Sequence, residues 1–133
     1  IASIVEEETN MESDKGKIAS VYMNRLKKGM KLEADPTVKY AMRNFELKRL
    51  SHAHLAFVSP YNTYQQTGLP PGPICTPSIN TIDAVLNAPE TDYIFFVAKP
   101  DLNGYSNFAT NYKEHLKFAK EYQAALDQLN IKH

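Results

Sequence analysis

Thr91-Asp92-Tyr93-Ile94-Phe95-Phe96-Val97-Ala98-Lys99 is the stretch on which the fold class turns. It is dense in aromatic and β-branched residues and reads as a strand. Asn103-Gly104, just downstream, is a hairpin signal that returns the chain as a second strand through Phe108. Outward from this pair the apolar spacing is helical. Residues 1–10 show it, and residues 15–28 show it more strongly. Ile18, Val21, Tyr22 and Leu26 recur there at steps of three and four and form one stripe. Ser13 or Asp14 could cap that helix, and Gly29 sits where a helix C-terminus wants it. Asp35-Pro36-Thr37 opens another short helix carrying Val38, Tyr40, Ala41 and Met42. Residues 80–88 predict a short helix capped by Asn80 or Thr81, and Tyr112 to about Leu129 a final one.

Between these elements, residues 59–80 hold five prolines and two glycines, which precludes a long regular element. The apolar and aromatic content of that loop (Tyr61, Tyr64, Leu69, Ile74) predicts that it is ordered. No repeat or linker divides the chain. The expectation is a single α+β domain over residues 1–133: several helices, a small β-hairpin and a long Pro/Gly-rich ordered loop.

The 133 residues suffice for one hydrophobic core, and 43% hydrophobic with 23% charged residues is globular composition. Fifteen basic and fifteen acidic side chains cancel, so no basic excess exists to neutralise phosphates and nucleic acid is disfavoured as a partner. The single cysteine, Cys75, cannot form an internal disulfide and leaves the redox compartment open. No run approaches the roughly 18 apolar residues of a membrane span. The opening IASIVEEE reads as a helix interior with no preceding cap, which predicts a fragment of a longer protein.

Three adjacent glutamates end that first segment. On a wheel of roughly 100° per residue, Glu8 falls among Ile1, Ile4 and Val5, while Glu6 and Glu7 point to the flanks. A carboxyl on an apolar face has its charged form disfavoured and can hold a proton near neutrality, as a general acid must. The alternative is that Glu8 is buried at its stem and paired with an arginine or lysine. No second carboxylate declares itself; Asp35 is a candidate, yet Asp before Pro at a helix start also suits a cap. His52 and His54 are two apart, His115 and His133 are remote, and no HExxH, paired CxxC or glycine-rich phosphate loop occurs. Metal and nucleotide cofactors are not expected. Tyr61, Asn62, Thr63 and Tyr64 cluster hydroxyls, an amide and aromatic faces, a mixture that binds sugars and equally builds a turn.

IASIVEEET, KIASVYMNRLKKGMKLEADPTVKYA, SPYNTYQQTGLPPGPICTPS and TDYIFFVAK, in that order and at that spacing, resemble the YceG-like (MltG) family of endolytic murein transglycosylases. The resemblance covers nearly the whole chain. It implies a lysozyme-like active-site helix with the catalytic glutamate at Glu8, and sugar-facing roles for Thr9, Asp35, Tyr61, Asn62, Thr63 and Tyr64. It implies cleavage of the MurNAc-β-1,4-GlcNAc bond in nascent peptidoglycan to leave a 1,6-anhydromuramyl end, with no second carboxylate needed. It also implies an N-terminal membrane anchor and a LysM-like domain outside this chain. The expected place is the extracytoplasmic face of the inner membrane, beside peptidoglycan synthases (penicillin-binding proteins). Where the family has a histidine in the last hairpin this chain has Ser106, whereas His115 matches a family histidine. Two other readings stand beside this one: a non-catalytic glycan-binding module, and a pyridoxal-phosphate lyase of the aminodeoxychorismate type, for which no phosphate-cradling motif is present.

Overall fold

The computed structural model describes residues 1–129. Its elements are α1 (Ala2–Glu8), α2 (Glu12–Lys27), α3 (Asp35–Ala41), α4 (His52–Leu55), α5 (Ile79–Leu86), β1 (Phe95–Ala98), β2 (Ser106–Ala109) and α6 (Tyr112–Gln128). The fold is α+β, as the sequence predicts. Residue His133 lies outside the described part. No helix among the described residues is long and apolar enough to cross a membrane.

A helix as short as α1 has little stability of its own. It is held by burial: Ile4 and Val5 are fully enclosed with Ile18, Ala19 and Tyr22 of α2 and with Leu32 and Ala34 beyond it. Full burial of such an aliphatic side chain contributes about 1.5–3 kcal/mol. Helix α2 packs on α1, α5 and β1, while α6 covers the hairpin. The α2 terminus is a Schellman motif, with Met30 N–H donating to Arg25 O (2.9 Å) and Gly29 N–H to Leu26 O (3.2 Å). Gly29 takes the left-handed φ of +70° that this motif requires.

Several boundaries differ from the sequence expectation, each for a tertiary reason. Met11, in extended conformation, stands at the α2 N-cap, and neither Ser13 nor Asp14 caps the helix. The Asp14 carboxylate instead accepts the Ser106 N–H (2.8 Å), tying α2 to β2. Likewise α3 begins after Ala34, so Asp35 is not its cap. The strand expected over residues 91–99 shortens to β1 because α2 side chains take the backbone carbonyls before it. Asn24 Nδ2 donates to Thr91 O and Tyr93 O (2.8 and 2.9 Å), and Arg25 Nε to Ile94 O (2.8 Å). The remaining ladder is antiparallel, pairing Phe95 with Ala109 and Ala98 with Ser106. Ser78, not Asn80 or Thr81, caps α5, accepting the Thr81 N–H. The one-turn α4, with a capping box of Ser51 and His54, has no counterpart in the sequence reading.

Candidate active site

The three glutamates of α1 have three fates. Glu6 accepts the Ser78 N–H ahead of α5, which holds its carboxyl below the usual range. Glu7 is exposed. Glu8, the last residue of α1, opens into a cleft of about 310 Å³. Tyr22 and Arg25 of α2, Glu33 ahead of α3, Asp35 at its start and Tyr64 of the loop line it, together with Phe95 and Phe96 of β1 and Tyr112 and His115 of α6. A roomier hollow of about 750 Å³ lies between α2 and residues 88–92, but no aromatic side chain lines it.

Glu8 makes no salt bridge: the ion pair found among the described residues is Lys15–Glu12. Burial, and secondarily the nearby Asp35 charge, push its carboxyl from the ordinary 4.5 up to about 7; the Tyr22 phenol beside it, Lys39 and Arg25 offset this only in part. The cation that shares the cleft with Glu8 is occupied elsewhere. Arg25 is buried and spends donors on Ile94 O and Leu32 O, with its guanidinium 5.5 Å from the Phe95 ring centroid. Opposite Glu8, the Tyr64 hydroxyl donates to Asp35 Oδ1. Burial and the Asp35 charge raise the Tyr64 phenol, and burial and Glu8 raise that of Tyr22, so both stay protonated donors near neutrality. Glu33 holds a positive φ of 49° and donates its N–H to Thr63 O (3.2 Å), a strained turn at the cleft edge.

The structure therefore brings Glu8, Asp35 and Tyr64 together. The other expected sugar contacts have different work. Asn62 is fully buried: its amide donates to Leu55 O (3.0 Å) and Phe57 O (2.7 Å), and its Oδ1 accepts the Tyr64 N–H (2.9 Å). Thr63, also fully buried, accepts the Ala34 N–H (2.8 Å) and meets the Thr37 hydroxyl (2.9 Å). Tyr61 packs on Tyr40 at 4.9 Å and lines a separate hollow. Thr9 accepts the Met11 N–H (3.0 Å) in the α1–α2 turn. None of these four lines the cleft.

Arg25, Tyr22, Phe95, Phe96, Tyr112 and His115 were not singled out by the sequence as wall residues of one site. For Arg25 a signal existed: it falls at the centre of the Ile18–Val21–Tyr22 stripe, a charge on a buried face. His115 stacks on Phe95 (4.8 Å, 18° between planes), and its buried Nδ1 has no hydrogen-bond partner among the described residues. Burial, with the Arg25 charge, lowers its pKa, so its ring is neutral at pH 7. Ser106 is placed at the start of β2, away from the cleft lining.

The sequence profile of the YceG-like family matches residues 1–121. The chain belongs to the YceG-like family. Among relatives in that family, an endolytic murein transglycosylase of Bacillus subtilis is 45% identical over 92% of this chain and 33% of its own length. One of Streptococcus pneumoniae is 34% identical over 86% of this chain and 21% of its own. A crystal structure of a YceG-like protein of Listeria monocytogenes superposes with a TM-score of 0.81 at 40% identity, covering 87% of this chain and 37% of that one. The chain thus spans about a third or less of the curated YceG-like relatives it matches.

Proposed function

We propose that this chain is the catalytic domain of an endolytic murein transglycosylase and that Glu8 is its single acid and base. The observation that carries the reading is a carboxyl held in an aromatic-walled cleft, without a counter-ion, with its pKa pushed up to about 7. The relatives named for this activity support the substrate class. Protonated Glu8 delivers its proton to the glycosidic oxygen as the C1–O bond of N-acetylmuramic acid breaks, releasing the N-acetylglucosamine 4-hydroxyl. The Glu8 carboxylate then takes the proton of the muramyl C6 hydroxyl while O6 bonds to C1. The nucleophile belongs to the substrate, and Glu8 ends protonated for the next turn. Tyr64 and Asp35 line the sugar path. The full-length protein acts at the extracytoplasmic face of the bacterial inner membrane through an anchor outside this chain, alongside peptidoglycan synthases.

The Asp35 carboxylate in the same cleft favours one competing reading, a two-carboxylate hydrolase in which Asp35 serves water. Product analysis separates them. Incubating uncrosslinked peptidoglycan with the domain and analysing the ends by mass spectrometry is expected to give anhydromuramyl ends, lost in Glu8→Gln. Hydrated reducing ends would establish the hydrolase instead. Strand binding without cleavage would leave a glycan-binding module, and full activity in Glu8→Gln would remove Glu8 from the mechanism.

A further inference from the structure

The cleft does not end at Tyr64. A second hollow of about 410 Å³ shares Asp35 and Tyr64 with it, so the Tyr64–Asp35 hydrogen bond is a partition between two adjoining chambers. The far chamber differs in charge: Lys48 and Arg49 line it, both exposed. Neither forms an ion pair among the described residues. Arg49 is nonetheless oriented, donating through Nη2 to Gln123 Oε1 of α6 (3.2 Å). Tyr122 of α6 and Leu50 and Leu55 supply an aromatic and aliphatic face beside the two cations. That face is anchored, because the Leu55 carbonyl accepts from both Asn62 Nδ2 (3.0 Å) and Gln65 Nε2 (2.9 Å).

Two unpaired cations over an apolar wall, one partition away from a glycan-cleaving carboxyl, match an anionic peptide attached to the glycan. Muramyl groups carry such a peptide on their lactyl ether, with free carboxylates and aliphatic side chains. At about 3.3 Å per extended residue, a few residues span from one chamber to the next. The geometry points to a stem-peptide subsite formed by Lys48, Arg49 and Tyr122, which makes peptide-bearing strands the preferred substrate over stripped ones. The ligand identity rests on the transglycosylase reading above.

The test uses Glu8→Gln to stop turnover. Soluble uncrosslinked strands with intact peptides, and the same strands stripped by an amidase, are titrated calorimetrically. Peptide-bearing strands bind about tenfold tighter, the scale of two exposed charge-assisted contacts. Adding Lys48→Gln and Arg49→Gln abolishes that preference while affinity for stripped strands stays within about twofold, since the cleft itself is untouched. Equal affinity of Glu8→Gln for both strands, equal loss for both on removing the cations, or no binding of either strand overturns the subsite. Cleavage assays on the unmutated chain are read separately: an absent or hydrolytic activity with the peptide preference intact defeats the transglycosylase reading and leaves the subsite standing.

Discussion

If Glu8 is a proton-holding carboxyl, it must cost the protein stability at the pH where it ionises, and replacing it should make the fold firmer. Its pKa lies at about 7 in the folded chain against the ordinary 4.5. Between those values the folded state binds more protons than the unfolded one, so stability falls as pH rises. The contribution of protonated Glu8 is fully present below pH 4.5, declines through the window and is gone above about 7. At about 1.4 kcal/mol per unit the difference amounts to about 3 kcal/mol. The Glu8→Gln side chain keeps the shape without the charge, so the variant should match the unmutated chain near pH 4.5. At pH 8 it should exceed it by about 3 kcal/mol, less whatever solvent at the cleft mouth screens. Urea unfolding followed by circular dichroism reads this directly, since with a slope of about 2 kcal/mol per molar the midpoint moves by about 1.5 M. Equal midpoints for the two proteins at pH 8 would refute the account of a desolvated Glu8.

Asp35→Asn removes the second cause of the Glu8 rise, so the alkaline limb of the cleavage rate profile should move to lower pH; an unmoved limb would separate the two carboxyls electrostatically. Asn62→Ala should cost about 1–3 kcal/mol of unfolding free energy, measured in urea, because the fully buried amide's ties to Phe57 O and the Tyr64 N–H are lost, while Gln65 Nε2 still serves Leu55 O. Thr63→Val should cost about 1–3 kcal/mol by leaving the buried Ala34 N–H unsatisfied, with glycan affinity lowered only through α3. At Gly29 an added Cβ would meet nothing within 4 Å, so Gly29→Ala should cost only the left-handed backbone penalty of about 1 kcal/mol in the same assay.

What the sequence revealed was what one element can state about itself. Apolar spacing placed α1 and α2, and Asn103-Gly104 with the aromatic run gave the hairpin, because these signals are local. The misplaced boundaries are those set by distant partners. Asn24 and Arg25 shorten β1 by bonding carbonyls about 70 positions away, and Asp14 serves β2 instead of its own helix. Around the site, Asn62 and Thr63 looked like sugar ligands because polar residues in an ordered loop fit both roles. Their full burial, set only once α3 and α4 are packed against that loop, leaves both out of the cleft lining.

The same wheel that selects Glu8 also selects Arg25. Glu8 follows Ile1, Ile4 and Val5 at steps of seven, four and three, and Arg25 follows Ile18, Val21 and Tyr22 at the same steps. Two opposite charges on the apolar faces of packed helices would ordinarily form an ion pair, which would depress the carboxyl pKa and leave no acid at neutral pH. The hairpin prevents this. By presenting Ile94 O, and with Leu32 O from the approach to α3, the fold engages the guanidinium on backbone carbonyls. Arg25 then balances charge at a distance without claiming the carboxyl. Shortened β1, buried Arg25 and protonated Glu8 are one arrangement, and Arg25→Lys tests it. Lysine is a compact cation without the planar fork that reaches both carbonyls, and is free to turn toward Glu8. The expected result is a Glu8 pKa drawn down toward the ordinary range, read by carboxyl NMR titration, with cleavage at pH 7 falling about tenfold. A Glu8 titration unchanged in Arg25→Lys would show that the carbonyl ties are not what keeps the acid free.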